Sequence, residues 1–106
     1  MKPSTEVIII TVNNPGGRTS LSYTNNGTTT AHPGDEIEWE ADYQFGVVFG
    51  LTTPLDGAVY VSGKARGKKK IKVKIRDKAV HGTYKYTVAL HDGTSLVLDD
   101  PQIIIN

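Results

Sequence analysis

Two segments in which apolar and charged residues alternate strictly constrain the fold of this 106-residue chain more than any other feature. From Glu36 to Asp42 every second residue is acidic, and the residues between them are Ile37, Trp39 and Ala41. From Lys70 to Arg76 every second residue is basic, and the residues between them are Ile71, Val73 and Ile75. Because successive side chains of a strand point to opposite faces, this period of two predicts two strands, each with one buried face.

Short β-branched or apolar segments separated by turn residues occupy the rest of the chain, and no segment of a dozen residues has helical spacing. The further segments are Val7–Val12, Leu21–Thr24, Thr28–Ala31, Tyr43–Leu51, Ala58–Val61, Thr83–Leu90, Ser95–Leu98 and Gln102–Ile105. Gly, Asn, Asp and Pro between them favour turns. This organisation predicts one all-β domain spanning residues 1–106, built as a two-sheet sandwich.

The composition excludes several classes of protein. The chain contains no cysteine, which rules out disulfides, thiolate catalysis and thiolate metal sites. No apolar run approaches the roughly 20 residues that cross a bilayer as a helix. The formal net charge is only +1, so there is no overall positive field that would favour nucleic acid.

Three stretches resemble the cupredoxins, the family of blue-copper proteins. Pro33–Trp39 is similar to the third strand of that family, and Gly82–Tyr86 is similar to the strand that leads to its copper-binding loop. Phe45–Phe49 resembles the segment that begins with a ligand histidine. The resemblance implies a Greek-key sandwich of seven or eight strands. An immunoglobulin-like sandwich is the alternative, because Trp39 and the Asp77–Tyr84 stretch also suit a central tryptophan and a tyrosine corner.

Type 1 copper requires a thiolate and two imidazoles, usually with a weak axial thioether. By the resemblance, the first histidine falls on Phe45 or Gly46, the cysteine on Val88 and the axial methionine near Leu96. Only the second histidine, His91, is present. The resemblance therefore implies the fold without its copper chemistry, and we expect no cofactor.

Nine of the twelve basic residues lie between Lys64 and Lys78. In cupredoxins the two alternating strands are antiparallel neighbours, so the resemblance implies pairing of an acidic row with a basic row. The acidic row is Glu36, Glu38, Glu40 and Asp42, and the basic row is Lys70, Lys72, Lys74 and Arg76. Such pairs stabilise a sheet. The loop that precedes the row contains Lys64, Arg66, Lys68 and Lys69, and these residues could instead contact an anionic polymer. No aromatic residue is interleaved with them, which argues against nucleic acid.

The three histidines suggest a metal-handling protein as a second alternative. His32 and His81 precede turns at the same predicted end of the sandwich, whereas His91 is expected at the opposite end. Two imidazoles do not fill the coordination sphere of zinc or copper(II), so exposed turn histidines are the simpler interpretation.

A ligand pocket, if there is one, is expected where the copper would lie, among Tyr43, Phe45, His91 and Leu96. Trp39 is interpreted as a core residue.

Catalysis has no support in the sequence, because no serine lies in a GxSxG turn and no glycine-rich phosphate loop occurs. We therefore expect a non-catalytic accessory or interaction module that is a monomer and binds a macromolecular partner. The resemblance favours a periplasmic or extracellular location. Because Val7–Ile10 is too short for the core of a secretory leader, we expect no signal peptide in this sequence, which leaves a cytoplasmic protein or one whose leader has been removed.

Overall fold

The computed structural model describes residues 3–63 and 67–106, which form two packed β-sheets and no α-helix. Ten strands are present: β1 (Thr5–Asn13), β2 (Ser20–Tyr23), β3 (Thr28–Ala31), β4 (Glu36–Ala41), β5 (Phe45–Phe49), β6 (Val59–Val61), β7 (Lys69–Lys74), β8 (Gly82–His91), β9 (Leu96–Asp99) and β10 (Gln102–Ile105). The prediction of an all-β sandwich is confirmed.

The ten strands correspond to the ten segments found in the sequence, and their number exceeds the seven or eight that the resemblance implies. Two of the turns between them are tight. Asn25 and Asn26 both adopt positive φ, at 63° and 55°, a conformation that asparagine tolerates better than most residues. This turn sends β2 into the first sheet and β3 into the second. Asp100 and Pro101 likewise separate β9 from β10, both of which pair with β8.

The first sheet has the order β2-β1-β4-β7, and the second has the order β3-β10-β8-β5-β6 with β9 beside β8. The first strand lies inside its sheet, where it pairs antiparallel with β2 and parallel with β4. A second parallel pair joins β3 to β10. The other pairings are antiparallel.

The predicted acidic and basic rows are neighbours. Across β4 and β7, Glu36 lies opposite Lys74, Glu38 opposite Lys72 and Glu40 opposite Lys70. The closest ion pair of this ladder joins Lys70 Nζ to Glu40 Oε1 at 3.2 Å, and Lys72 reaches diagonally to Glu36 at 3.9 Å.

Each predicted row is one residue too long at its C-terminal end. The register ends at Ala41 and Lys74, so Asp42 and Arg76 lie outside the paired segment. The guanidinium of Arg76 donates to the carbonyl oxygen of Thr53 at 2.5 Å instead. The expected contribution of Asp42 and Arg76 to the ladder is therefore wrong, because neither residue has an oppositely charged partner in the register of β4 and β7.

The core between the sheets is built around Trp39, whose side chain is fully buried. Its indole Nε1–H donates to the hydroxyl of Tyr86 at 3.0 Å, and the two rings meet edge to face with centroids 5.6 Å apart. Phe49 stacks on Tyr86, with the ring centroids 5.0 Å apart. Burial raises the pKa of Tyr86 to about 12. These contacts confirm Trp39 as a core residue.

Asp35 fastens the start of β1 to the turn before β4. Its buried carboxylate accepts hydrogen bonds from the backbone N–H groups of Ser4 and His32, both at 3.0 Å. Burial alone would raise the pKa of Asp35, but these two hydrogen bonds favour the charged form and hold the pKa below its usual value. The aspartate of the Pro33–Gly34–Asp35 turn therefore joins distant segments of the chain.

Candidate functional site

The outer faces of the two sheets differ in chemistry. The outer face of the first sheet carries the ladder of Glu36, Glu38 and Glu40 against Lys70, Lys72 and Lys74. The outer face of the second sheet carries aliphatic side chains contributed by β5, β6, β8 and β9. The outer face of the first sheet also holds Val7 and Ile9 beside Glu38 and Glu40, so it mixes charged and apolar groups, whereas the outer face of the second sheet is mainly aliphatic.

Register brings the aliphatic residues together in rows across the four strands. In the central row, Leu98 lies opposite Ala89, Ala89 opposite Gly46, and Gly46 opposite Val61. The adjacent rows add Val48 opposite Val59 on one side and Leu96 opposite His91 on the other. We define the apolar face as Gly46, Val48, Val59, Val61, Ala89, Leu96 and Leu98.

These side chains point outward because their strand neighbours fill the core. On β5, Phe45, Val47 and Phe49 are buried, which turns Gly46 and Val48 to the outside. The largest members of the face are Leu96, Leu98, Val59 and Val61, which are exposed to 64%, 63%, 64% and 74%. Contiguous exposed apolar patches of this kind mark binding surfaces on soluble proteins.

Polar groups border the apolar face. His91 is exposed at the end of β8 beside Leu96. Beyond Thr87 on the same strand, Lys85 approaches Asp100 at 3.8 Å, with both side chains largely exposed. An apolar centre with a polar rim is the arrangement found in protein–protein interfaces.

The structure does not bring the four residues of the predicted pocket together. Phe45 is buried in the core opposite Leu90, whereas His91 and Leu96 form a pair on the outer face. Tyr43 is 39% exposed and lines a separate cleft of about 260 Å³ beside β1, together with Val12. Leu96 is therefore part of a surface, and the predicted site is divided among three environments.

The histidines keep the predicted arrangement along the second sheet. Ala31 and Gly82 flank Ile105 of β10 from either side, about 10 Å apart, and His32 and His81 are their neighbours at that end of the sheet. His32 Nδ1 lies 3.6 Å from the carboxylate of Asp35. Within residues 3–63 and 67–106, no cluster of three or more His, Cys, Asp or Glu residues is arranged to hold a metal ion.

The predicted basic loop of Lys64, Arg66, Lys68 and Lys69 lies only partly within the described residues. Lys64 and Arg66 lie outside the described residues. Lys68 is exposed, and the ammonium group of Lys69 donates to the carbonyl oxygen of Gly67 at 2.6 Å. The alternative of an anionic-polymer site at Lys64, Arg66, Lys68 and Lys69 stays a prediction.

A polar cleft of about 410 Å³ at the junction of the sheets was not predicted from the sequence. It is lined in part by Tyr23, Lys85, Asp99 and Gln102. The hydroxyl of Tyr23 is buried and has no hydrogen-bond partner in the described part of the chain. Burial, followed by the nearby carboxylate of Asp99, raises the pKa of Tyr23. The sequence signal for this cleft is the pair of adjacent carboxylates Asp99 and Asp100 before Pro101.

The apolar face was also missed, although three segments carry a signal for it. Val47–Phe49, Val59–Val61 and Leu96–Leu98 are apolar at consecutive positions rather than at alternate ones. Such runs are typical of strands covered on both sides. In this protein the first sheet covers only one side of these strands, so the apolar residues on the other side form an exposed face.

Comparison with protein-family models and with curated proteins found no match to this chain. Within the described residues, no helix has the length and hydrophobicity needed to span a membrane.

Proposed function

We propose that this chain is a copper-free domain of the cupredoxin type that acts as a non-catalytic interaction module and binds a protein partner through the apolar face. The observation that carries the proposal is the row Leu98, Ala89, Gly46 and Val61, an uncharged strip across four strands that ends in largely exposed side chains.

Two features of the strand order support the cupredoxin type. First, β4 and β7 are antiparallel neighbours in one sheet, as the resemblance implies. Second, β1 has a partner on both sides, whereas the first strand of an immunoglobulin constant-type domain lies at a sheet edge. The second feature weighs against the immunoglobulin-like alternative.

The residues at the expected copper-ligand positions support a role without type 1 copper. Phe45 and Val88 are buried hydrocarbon side chains that pack in the core, and Leu96 is aliphatic. None of them offers the sulfur or imidazole nitrogen that the metal requires. The family's electron-transfer chemistry is therefore not part of the proposal.

The energetics of the apolar face are sufficient for specific binding. Fully burying one aliphatic side chain stabilises a complex by about 1.5–3 kcal/mol. Leu96, Leu98, Val59 and Val61 are each about two-thirds exposed, so covering all four contributes about 4–8 kcal/mol before the entropic costs of association. The partner must supply an uncharged apolar surface, because burying an unpaired charge against these side chains would cancel the gain.

Site-specific photo-crosslinking in cells of the source organism tests the proposal. A benzophenone amino acid is placed at position 61 or 98 on the apolar face, or at position 72 on the outer face of the first sheet as the matched control. We expect one and the same cross-linked protein from positions 61 and 98 and none from position 72. Leu98→Lys should abolish the product formed from position 61. Equal products from all three positions, or no product from positions 61 and 98, would contradict the proposal.

A further inference from the structure

The polar cleft at the junction of the two sheets is distinct from the apolar face. The first sheet contributes Ser22 and Tyr23 to its lining, and the second sheet contributes Lys85, Asp99 and Gln102. The described residues that line it include none of those that define the apolar face. Its volume of about 410 Å³ lies within the range of roughly 300–1,000 Å³ that is typical of small-molecule sites. The cleft therefore has the size of a site for a small ligand.

The charged groups of the cleft oppose a charged ligand of either sign. Lys85 Nζ lies 3.8 Å from the carboxylate of Asp100, and Asp99 is the preceding residue of the chain. A cation in the cleft is repelled by the ammonium group of Lys85, and an anion is repelled by the two carboxylates. A neutral ligand meets neither repulsion, so the charges favour a ligand without net charge.

The hydrogen-bonding groups of the cleft are of three kinds. The ammonium group of Lys85 only donates, and the carboxylates of Asp99 and Asp100 only accept. The hydroxyls and amides that do both belong to Ser22, Tyr23, Asn26, Thr28 and Gln102. Because a ligand hydroxyl also both donates and accepts, a polyhydroxylated molecule can pair with all three kinds. A purely aliphatic ligand would leave these groups desolvated without partners.

The hydroxyl of Tyr23 has unused hydrogen-bonding capacity. Among the described residues it is the only buried side-chain nitrogen or oxygen without a hydrogen-bond partner. The carboxylate of Asp99 lies close enough to raise the pKa of Tyr23, yet outside hydrogen-bonding geometry. A buried polar group without a partner lowers stability, and its presence therefore calls for an explanation. A ligand hydroxyl that enters from the cleft and pairs with Tyr23 supplies one.

We propose that this cleft binds one neutral sugar unit, at a site that is independent of the apolar face. Hydroxyl groups of the sugar donate to Asp99 and Asp100 and accept from Lys85, and one of them pairs with the hydroxyl of Tyr23. Pro101, which also lines the cleft, packs against the C–H groups of the sugar ring. Ligand efficiencies typical of small molecules predict a dissociation constant of roughly 1–10 mM for a single unit.

Amide chemical shifts of the ¹⁵N-labelled protein measure the binding. The neutral probes are the methyl glycosides of glucose, galactose, mannose and N-acetylglucosamine, each titrated to about 100 mM, roughly tenfold above the expected dissociation constant. We expect at least one of them to shift the amides of Gly27 and Gln102 saturably while the amide of Val61 stays unchanged. Cationic glucosamine and anionic glucuronate should bind at least tenfold more weakly than that neutral sugar.

Two variants test the residues that carry the proposal. Tyr23→Phe removes only the unpaired hydroxyl, so we expect the dissociation constant to rise at least fivefold while the melting temperature is unchanged or higher. Asp99→Ala should raise the dissociation constant at least tenfold. Tyr43→Phe is the matched control, because it removes a tyrosine hydroxyl outside this cleft, and it should leave the affinity unchanged. The dispersion of the amide spectrum verifies that each variant folds.

Each outcome has a definite meaning. No saturable shift with any of the four neutral glycosides would overturn the sugar site. Tighter binding of glucosamine or glucuronate would show that the cleft selects an ion instead. Wild-type affinity in both Tyr23→Phe and Asp99→Ala would place the sugar elsewhere and overturn the assignment. These outcomes do not bear on the protein partner of the apolar face, which the cross-linking experiment tests separately.

Discussion

Replacing Tyr86 by phenylalanine removes one oxygen atom from the centre of the sandwich. The ring of Tyr86 remains available to stack on Phe49 and to receive the edge of Trp39, whose centroid is 5.6 Å away. The substitution removes the acceptor of the indole N–H of Trp39, whose nitrogen lies 3.0 Å from the hydroxyl oxygen in the wild-type protein. The substitution therefore isolates one buried hydrogen bond.

The expected cost follows from the burial of both partners. Trp39 is fully buried and Tyr86 is 3% exposed, so water cannot replace the missing acceptor. An orphaned buried donor costs about 1–3 kcal/mol, more than the roughly 1 kcal/mol net contribution of an average hydrogen bond. We therefore expect Tyr86→Phe to lower the free energy of unfolding by about 2 kcal/mol.

Tyr84→Phe is the matched control. The hydroxyl of Tyr84 donates to the carbonyl oxygen of Val80 at 2.5 Å, but Val80 is 70% exposed. Water can therefore satisfy that carbonyl after the substitution, and the expected loss is about 1 kcal/mol or less.

Equilibrium unfolding in urea, followed by the fluorescence of the single tryptophan, measures both variants. With a slope of about 1–3 kcal/mol per molar urea, a loss of about 2 kcal/mol lowers the midpoint by roughly 1 M. If Tyr86→Phe loses no more stability than Tyr84→Phe, the argument from the orphaned indole donor is refuted.

Three further predictions concern charge. The pKa of Tyr86 is raised from 10.0 to about 12 in the folded protein, whereas Tyr86 of the unfolded chain ionises above about pH 10. The free energy of unfolding should therefore fall between pH 10 and 12. Tyr86→Phe should flatten that fall in alkaline urea titrations. Asp35→Asn should lower the free energy of unfolding by about 1–3 kcal/mol at pH 7. Because the pKa of Asp35 is lowered from 3.8, its carboxylate stabilises the fold above about pH 4 and less as pH falls through the folded pKa, so the difference from wild type should shrink in acid; a difference independent of pH would contradict this role. A double-mutant cycle with Glu40→Gln and Lys70→Met should give a coupling of about 0.5–1 kcal/mol that weakens in 1 M salt, since Lys70 is half exposed, and a coupling of zero at low salt would contradict the cross-strand pair.

Much of the fold could be predicted because turn-forming residues mark the ends of the strands in the sequence. The alternation around Trp39 fixed both the buried side of β4 and its charged side, and the cupredoxin resemblance implied its pairing with β7, with which the charges agree. What could not be predicted is the path between sheets at Asn25 and Asn26. Positive φ at two successive asparagines is permitted by their side chains but is not required by them.

The candidate site was less predictable for a different physical reason. A run such as Val59-Tyr60-Val61 is apolar on both sides of its strand, and only the strand order shows which side faces the other sheet. The expected pocket placed Phe45 beside Leu96, but these residues lie on opposite sides of their sheet. The resemblance implied which residues share a site but did not give the direction of each side chain.

The pairing of β3 with β10 has a consequence for biosynthesis. Thr28 lies opposite Gln102, so β3 must wait for a segment made more than seventy residues later before its backbone groups acquire a strand partner. Pairings this remote in sequence slow folding and prolong the time during which unpaired edges are exposed to other chains. When the ribosome has translated all but the last few codons of this domain, the second sheet is therefore still incomplete. Its completion would come as a late event in which β3 and β8 acquire β10 at nearly the same time.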